Sequence, residues 1–387
     1  MNRYFALFIF VLLSQLVISN NNTARVFTPF TIDIDPMERL LLINIENDPD
    51  SIYIGFEPQV FDDSTNGKGH LVIAWRTDGK VDVYHQPSLK LKPEKYNIAG
   101  KGLANMIESP LKNSMFTINE NGVQASYEFI DLYKRKISFA IHENNSSKRK
   151  PFGLLAPMGH AAENPEALPL VLLHDFYFVR QKHTLINVTI DGQEHEIDKL
   201  PMPMDGTRMY FARYSPSPFI VTFNNESNGP LPYFDVRQGD TDYMHGTHLY
   251  NLAWNNNKPS IESISRNTDK YEINIRFNPA FPSFESLESG GAFSGEFSIE
   301  GHYSTGTITG HYFIGMNDSS YNMELVPSGG WLPRPDKLSL RFLYSVGKAF
   351  KNWPKTYLWN AEISNTKKDQ LHMKSSWTRI DNSKLNR

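Results

Sequence analysis

The sequence predicts an all-β, mostly antiparallel fold of two β-barrel or β-sandwich domains, with a lipocalin-like barrel among the candidate architectures. Apolar and polar residues alternate with period two in short runs from end to end of the 387 residues. That pattern marks strands with one buried face. Asp-Gly and Asn-Gly pairs separate several of these runs, and such pairs supply the positive φ angles of tight hairpins. Runs with the 3.6-residue period of a helix are scarce, so a fold dominated by antiparallel sheets is expected, with under about 15% helix.

Residues 1–19 come first in chain order. Arg3 supplies a positive charge, an apolar run follows from Tyr4 to Leu13 and on through Leu16-Val17-Ile18, and the small residue Ser19 closes it. This is the order of a cleaved secretory signal peptide. The run is shorter than the roughly 20 residues that span a bilayer, and Ser14-Gln15 interrupts it. The mature chain is expected to start near Asn20, to be secreted or periplasmic, and to lack a membrane span.

Strands are then expected at His70–Arg76 and Lys80–Tyr84 around Asp78-Gly79, and at Met115–Ile118 and Val123–Ile130 around Asn121-Gly122. Lys136–His142 follows. Leu170–Val179 and Thr184–Ile190 read as a further pair, closed by Asp191-Gly192, and Met209–Tyr214 with Phe219–Phe223 completes the first half. Asn224–Pro230 is polar, aperiodic and rich in turn residues, which reads as a linker or long loop. Domains are therefore expected at 26–226 and 230–382; the other reading is one continuous sandwich. In the second half, strands are expected at Ile261–Ser265, Tyr271–Phe277, Gly295–Ile299, Gly306–Ile314, Tyr321–Leu325, Leu338–Phe342, Lys355–Ile363 and Leu371–Trp377. Short helices are expected within Ala280–Leu287 and Ser345–Phe350.

Composition narrows the chemistry. There is no cysteine, which removes disulfides and thiolate metal sites. The chain is long enough to bury a core without such staples, and its aromatic content of 13% suits well-filled β cores. The formal charge is -3, and loss of Arg3 with the signal leaves 38 basic against 42 acidic residues. That balance gives no field for nucleic acid. No Gly-x-Ser-x-Gly elbow, phosphate-binding loop or His-Glu-x-x-His is present, and no motif calls for a cofactor.

The densest set of chemically capable side chains is Asp240, Asp242, His245 and His248. Two carboxylates and two imidazoles within nine residues offer a general acid and a general base. The spacing matches no zinc motif, so no metal site is assigned, and a plain polar β-turn is the other reading. His160 lies in an apolar loop, Gly153–Pro165, that either packs or lines a pocket. His174 shares a strand face with Phe176 and Phe178; on regular strand geometry the adjacent Asp175 points the opposite way. Arg213 alternates onto an apolar face, where it needs a carboxylate partner if buried, and Arg208 lies nearby as a possible second anion contact. Trp331 and Trp353 stand beside prolines, either as a stacking platform for a ligand or as core aromatics.

Three functions fit these residues. The first is a secreted β protein that encloses a small apolar or amphipathic ligand: a lipid, an isoprenoid or a glycan. The second is an extracytoplasmic enzyme acting on a glycan or isoprenoid through the Asp240–His248 cluster. The third is a cell-surface interaction protein, which needs no pocket.

Overall fold

The computed structural model describes residues 23–157, 165–204, 206–268, 271–317, 319–367 and 370–380. The chain is all-β: 61% of the described residues are in strands and 6% in helix. The expected signal peptide, residues 1–19, and His160 lie outside the described residues.

Among the described residues, two ten-stranded sheets, one five-stranded sheet and one two-stranded sheet carry the fold. A ten-stranded sheet runs in space as Ile32–Asp35, Phe219–Phe223, Leu168–Arg180, Met209–Ser215, Arg39–Asn44, Tyr53–Asp63, Gly67–Arg76, Val81–His85 and Leu103–Glu108, with Phe152–Ala156 also on Leu168–Arg180. A five-stranded sheet joins Lys112–Asn119, Gly122–Ile130, Lys136–Glu143, Thr184–Ile190 and Gln193–His195. A second ten-stranded sheet is a meander from Asp242–His245 to Gln370–Arg379, with Ser227–Pro230 added at its far edge. Val81–His85 and Leu103–Glu108 pair parallel; the other strand pairs among the described residues are antiparallel.

The period-two alternation divides the first large sheet between two environments. Leu41, Ile43, Phe56, Val60, Val72, Ala74, Ala212 and Tyr214 point to one face, where they pack against Phe116, Tyr127, Phe129, Phe139 and Val188 of the five-stranded sheet. Their neighbours Leu40, Leu42, Glu57, Gln59, Ile73, Trp75, Phe211 and Arg213 point to the other face, which encloses an open space. Strand Tyr53–Asp63 is thus buried on both sides along most of its length. A second core is continuous across the halves: Val26, Leu168 and Phe223 belong to the same cluster as Ile264, Trp359 and Trp377. Strand Thr23–Phe27 pairs with Tyr233–Arg237, so the amino-terminal strand is part of the second half's core.

Several sequence expectations are corrected. Leu168–Arg180 does not pair with Thr184–Ile190; it pairs with Phe219–Phe223, Met209–Ser215 and Phe152–Ala156, while Thr184–Ile190 joins Lys136–Glu143 in the other layer. Residues 181–183, with His183 at φ 60, carry the chain from one layer to the other. Asn224–Pro230 is not a free linker. Ser227–Pro230 pairs with strand Gln370–Arg379, and the buried Asn224 accepts from the Thr31 amide and the Trp377 indole. Leu338–Phe342 is helical, within Leu338–Val346. Its alternation also places Leu340 and Tyr344 on one helical face, and that face covers the open space rather than joining a sheet. Phe281 ends a strand, and a single 3₁₀ turn follows at Phe284–Ser286.

Candidate functional site

The open space on the inner face of the first large sheet is a cavity of about 570 Å³, well within the range of small-molecule sites. Strands of the first sheet form its walls. Tyr96 and Ile98 close it on one side, and Leu343, Tyr344 and Phe350 from the two short helices close it on another. Most of the lining is apolar, including Leu40, Leu173, Phe176 and Phe178. Trp331 holds the helical cap from behind: its ring meets Tyr344 at 5.0 Å and Phe350 at 5.4 Å.

Most of the polar groups gather on one wall, while the ion-paired Asp35 and Lys95, with Asn66, also line the cavity. Glu57 is 8% exposed; it accepts from Gln59 Nε2 at 2.8 Å and from Trp75 Nε1 at 3.1 Å. Burial raises its pKa, an effect those bonds and the Arg213 charge partly oppose. Arg213 donates from Nη1 to Asn44 Oδ1 at 2.7 Å and lies 4.4 Å over the Phe211 ring. Burial pulls its pKa down to about 10, against the pull of Glu57 and Glu46, so it stays charged at neutral pH. Asn44 completes the chain by donating to Glu46 Oε1 at 2.6 Å. Glu57 and Arg213 attract each other through space, yet no hydrogen bond or ion pair joins them among the described residues. Both line the cavity. A ligand group that accepts from the guanidinium and exchanges a hydrogen bond with the carboxyl fits between them.

A second polar cluster sits where Leu168–Arg180 changes partner from Phe219–Phe223 to Met209–Ser215. His174 Nε2 lies 3.7 Å from Asp175 Oδ2, so the opposite-face expectation for these neighbours is corrected. The reason is a β-bulge: Leu173 pairs with Leu154 and Phe176 with Phe152, so His174 and Asp175 together oppose Gly153 and leave regular strand geometry. The His174 ring contacts Tyr271 at 4.8 Å and His302 at 5.0 Å. Ser215 Oγ donates to Asp175 Oδ1. Burial lowers the His174 pKa and raises that of Asp175.

The other sequence candidates disperse. Asp240 closes a turn, its carboxylate accepting from the Arg237 amide at 3.0 Å. Asp242 is exposed. His245 and His248 face each other across a hairpin whose turn includes Gly246 at φ 60, but they part in role. His245 is exposed and stacks on Phe234 at 5.0 Å, whereas His248 is half-buried and bonds the Ile32 carbonyl at 3.1 Å. None of the four lines the cavity. Arg208 is exposed. Trp331 and Trp353 are buried at 6% and 3% exposure, which corrects the stacking-platform expectation: they are core aromatics. Among the described residues, no group of three or more His, Asp or Glu is placed to hold a metal ion.

Among the described residues, Arg213 is the one sequence candidate that lines the cavity. Glu57, Gln59, Trp75 and Asn44 were missed, although a carboxylate in Phe56-Glu57-Pro58-Gln59-Val60 was a usable signal. In a strand buried on both faces, such a group needs a partner or a cavity. No protein family, characterised protein or solved structure matches this chain in comparison with known proteins.

Proposed function

We propose that this protein binds an elongated apolar molecule, a lipid or isoprenoid, with its polar head between Glu57 and Arg213. The observation that carries the reading is a largely apolar cavity in which Glu57 and Arg213 lie on one wall without an ion pair between them, whereas the other charged lining residues Asp35 and Lys95 pair with each other. Apolar lining supplies non-directional affinity, and a few placed polar groups fix orientation. The same lining argues against a glycan, whose hydroxyls would be left without partners. The secreted or periplasmic location expected from residues 1–19 belongs to this proposal.

The test is displacement of a polyene fatty acid, fluorescent in apolar surroundings, by saturated fatty acids and fatty alcohols of increasing chain length. Affinity is expected to rise with each methylene by about 0.8 kcal/mol until the cavity is filled, then level off. Absence of saturable binding across the whole series rejects the reading.

A second reading has one specific observation behind it. Glu57, whose pKa burial raises, has the environment of a general acid. The protein is then an acid–base enzyme on the same apolar substrate class, and mass spectrometry of bound ligand before and after incubation separates turnover from binding.

A further inference from the structure

Helix Leu338–Val346 has two apolar faces. The inner one, with Leu340 and Tyr344 at 1% and 7% exposure, packs on the core, and Tyr344 and Leu343 line the cavity. The outer one carries Leu338, Phe342 and Val346 at 81%, 49% and 52% exposure. These three recur every fourth residue, so they form one stripe along the helix. Water-facing stripes of large apolar residues mark contact surfaces. The N-terminal cap position, Lys337, makes no side-chain capping bond, so inner-face packing rather than capping holds this helix in place.

Charge identifies the occupant. The chain as a whole carries a formal charge of -3, yet residues 334–355 contain six basic residues, Arg334, Lys337, Arg341, Lys348, Lys351 and Lys355, and one acidic residue, Asp336. Arg334 is paired with Glu300 at 3.0 Å, and Lys337 lies 4.2 Å over the Phe152 ring. Arg341 and Lys351 are exposed. An apolar stripe flanked by exposed cations complements an anionic lipid surface, which offers acyl chains below a layer of negative headgroups. An apolar protein partner would match the stripe but leave the cations without a counterpart.

We infer that the outer face of Leu338–Val346 docks on an anionic bilayer, so that the cavity's cap is the element that touches the membrane. This rests on the cavity-binding reading. The same helix covers the site and meets the surface from which an apolar ligand would pass.

The experiment is flotation of the full chain with phosphatidylcholine vesicles and with vesicles containing about 30 mol % phosphatidylglycerol. Binding to the anionic vesicles is expected to be at least about tenfold tighter, and to weaken as salt is raised to about 0.5 M. Leu338→Ser with Phe342→Ser is expected to reduce that binding about tenfold or more, since both positions face water and their loss removes the inserted area. Arg341→Glu with Lys351→Glu leaves the stripe intact and is expected to abolish the preference for anionic vesicles. Circular dichroism and melting temperature verify that both variants fold.

Equal binding to the two vesicle types, no binding to either, or undiminished binding by the serine variant overturns the inference. So does a dimer in sedimentation velocity that the serine variant dissolves, which would assign the stripe to a second copy. Displacement of the fluorescent fatty acid without vesicles, run on the same variants, keeps the two proposals apart. Cavity binding with no vesicle binding sinks docking alone, and the reverse sinks the cavity reading alone.

Discussion

Replacing Arg213 by leucine separates the stability of the fold from the chemistry of the cavity. Arg213 makes one hydrogen bond, to Asn44 at 2.7 Å, and one ring contact, to Phe211 at 4.4 Å. A hydrogen bond from a charged group contributes about 1.5–3 kcal/mol, and a desolvated cation–π contact contributes about 1–2 kcal/mol. Against these, and against the attraction of Glu57 and Glu46, stands the desolvation of a guanidinium held in an enclosed wall, several kcal/mol, which the substitution relieves. The opposing effects nearly cancel, and the net change in stability is expected to stay within about 1 kcal/mol. For a chain of this size the unfolding entropy is about 0.8 kcal/mol per kelvin, so calorimetry should find a melting temperature within about 2 °C of wild type. Binding behaves differently. A ligand head that loses its charged donor forfeits about 1.5–3 kcal/mol, a roughly tenfold to 150-fold weaker dissociation constant. An n-alkane, which has no head, should bind both proteins alike. Unchanged affinity for head-bearing ligands would refute the placement of the head at Arg213. A melting temperature lowered by more than about 5 °C would show that the residue is structural instead.

Three further outcomes follow from contacts elsewhere. Arg180 bonds Glu143 at 2.6 Å and the carbonyls of Ser147, Asn121 and Asn145, all in a buried site; Arg180→Met is expected to cost about 3–5 kcal/mol, read as a fall of about 4–6 °C in calorimetry. A Cβ added at Gly153 would lie 2.1 Å from the Ser304 carbonyl oxygen, and the Gly153 carbonyl accepts from Tyr344 at 2.6 Å. Gly153→Val should therefore force Phe152–Ala156 away from the second half and destabilise by about 1–3 kcal/mol, with faster tryptic cleavage as a second readout. Burial lowers the pKa values of His70 and His248, so the folded state binds fewer protons than the unfolded one as pH falls through the ordinary imidazole value of 6.5. Their contribution is present above that value and lost below it. Melting temperatures of wild type and the His70→Gln, His248→Gln double variant at pH 7.5 and 5.5 test this, and a variant that loses as much on acidification as wild type contradicts it.

Parts of this protein were legible residue by residue. The Asp78-Gly79 and Asn121-Gly122 turns join hairpin strands in the structure, with positive φ at Gly79 and Gly122, a local requirement that glycine meets. Asp191-Gly192 also turns a hairpin, but its partner strand is Gln193–His195, not the long strand that precedes it. Two early strands escaped notice: Arg39–Asn44 is an apolar run without alternation, and Tyr53–Asp63 carries Pro58 mid-strand. Both are buried on two faces, so neither shows the one-sided pattern that marks a surface strand.

The sequence by itself determined the all-β class and much of the strand placement, because side-chain alternation and turn geometry depend on residues a few positions apart. It also ruled out disulfides, through the absence of cysteine. Only the tertiary structure decided that Glu57 and Arg213, over a hundred residues apart, share one cavity, and that Leu338–Val346 folds as a helix to cap it. Pairing across such separations is set by which faces must be buried together, and local sequence carries no record of that partner.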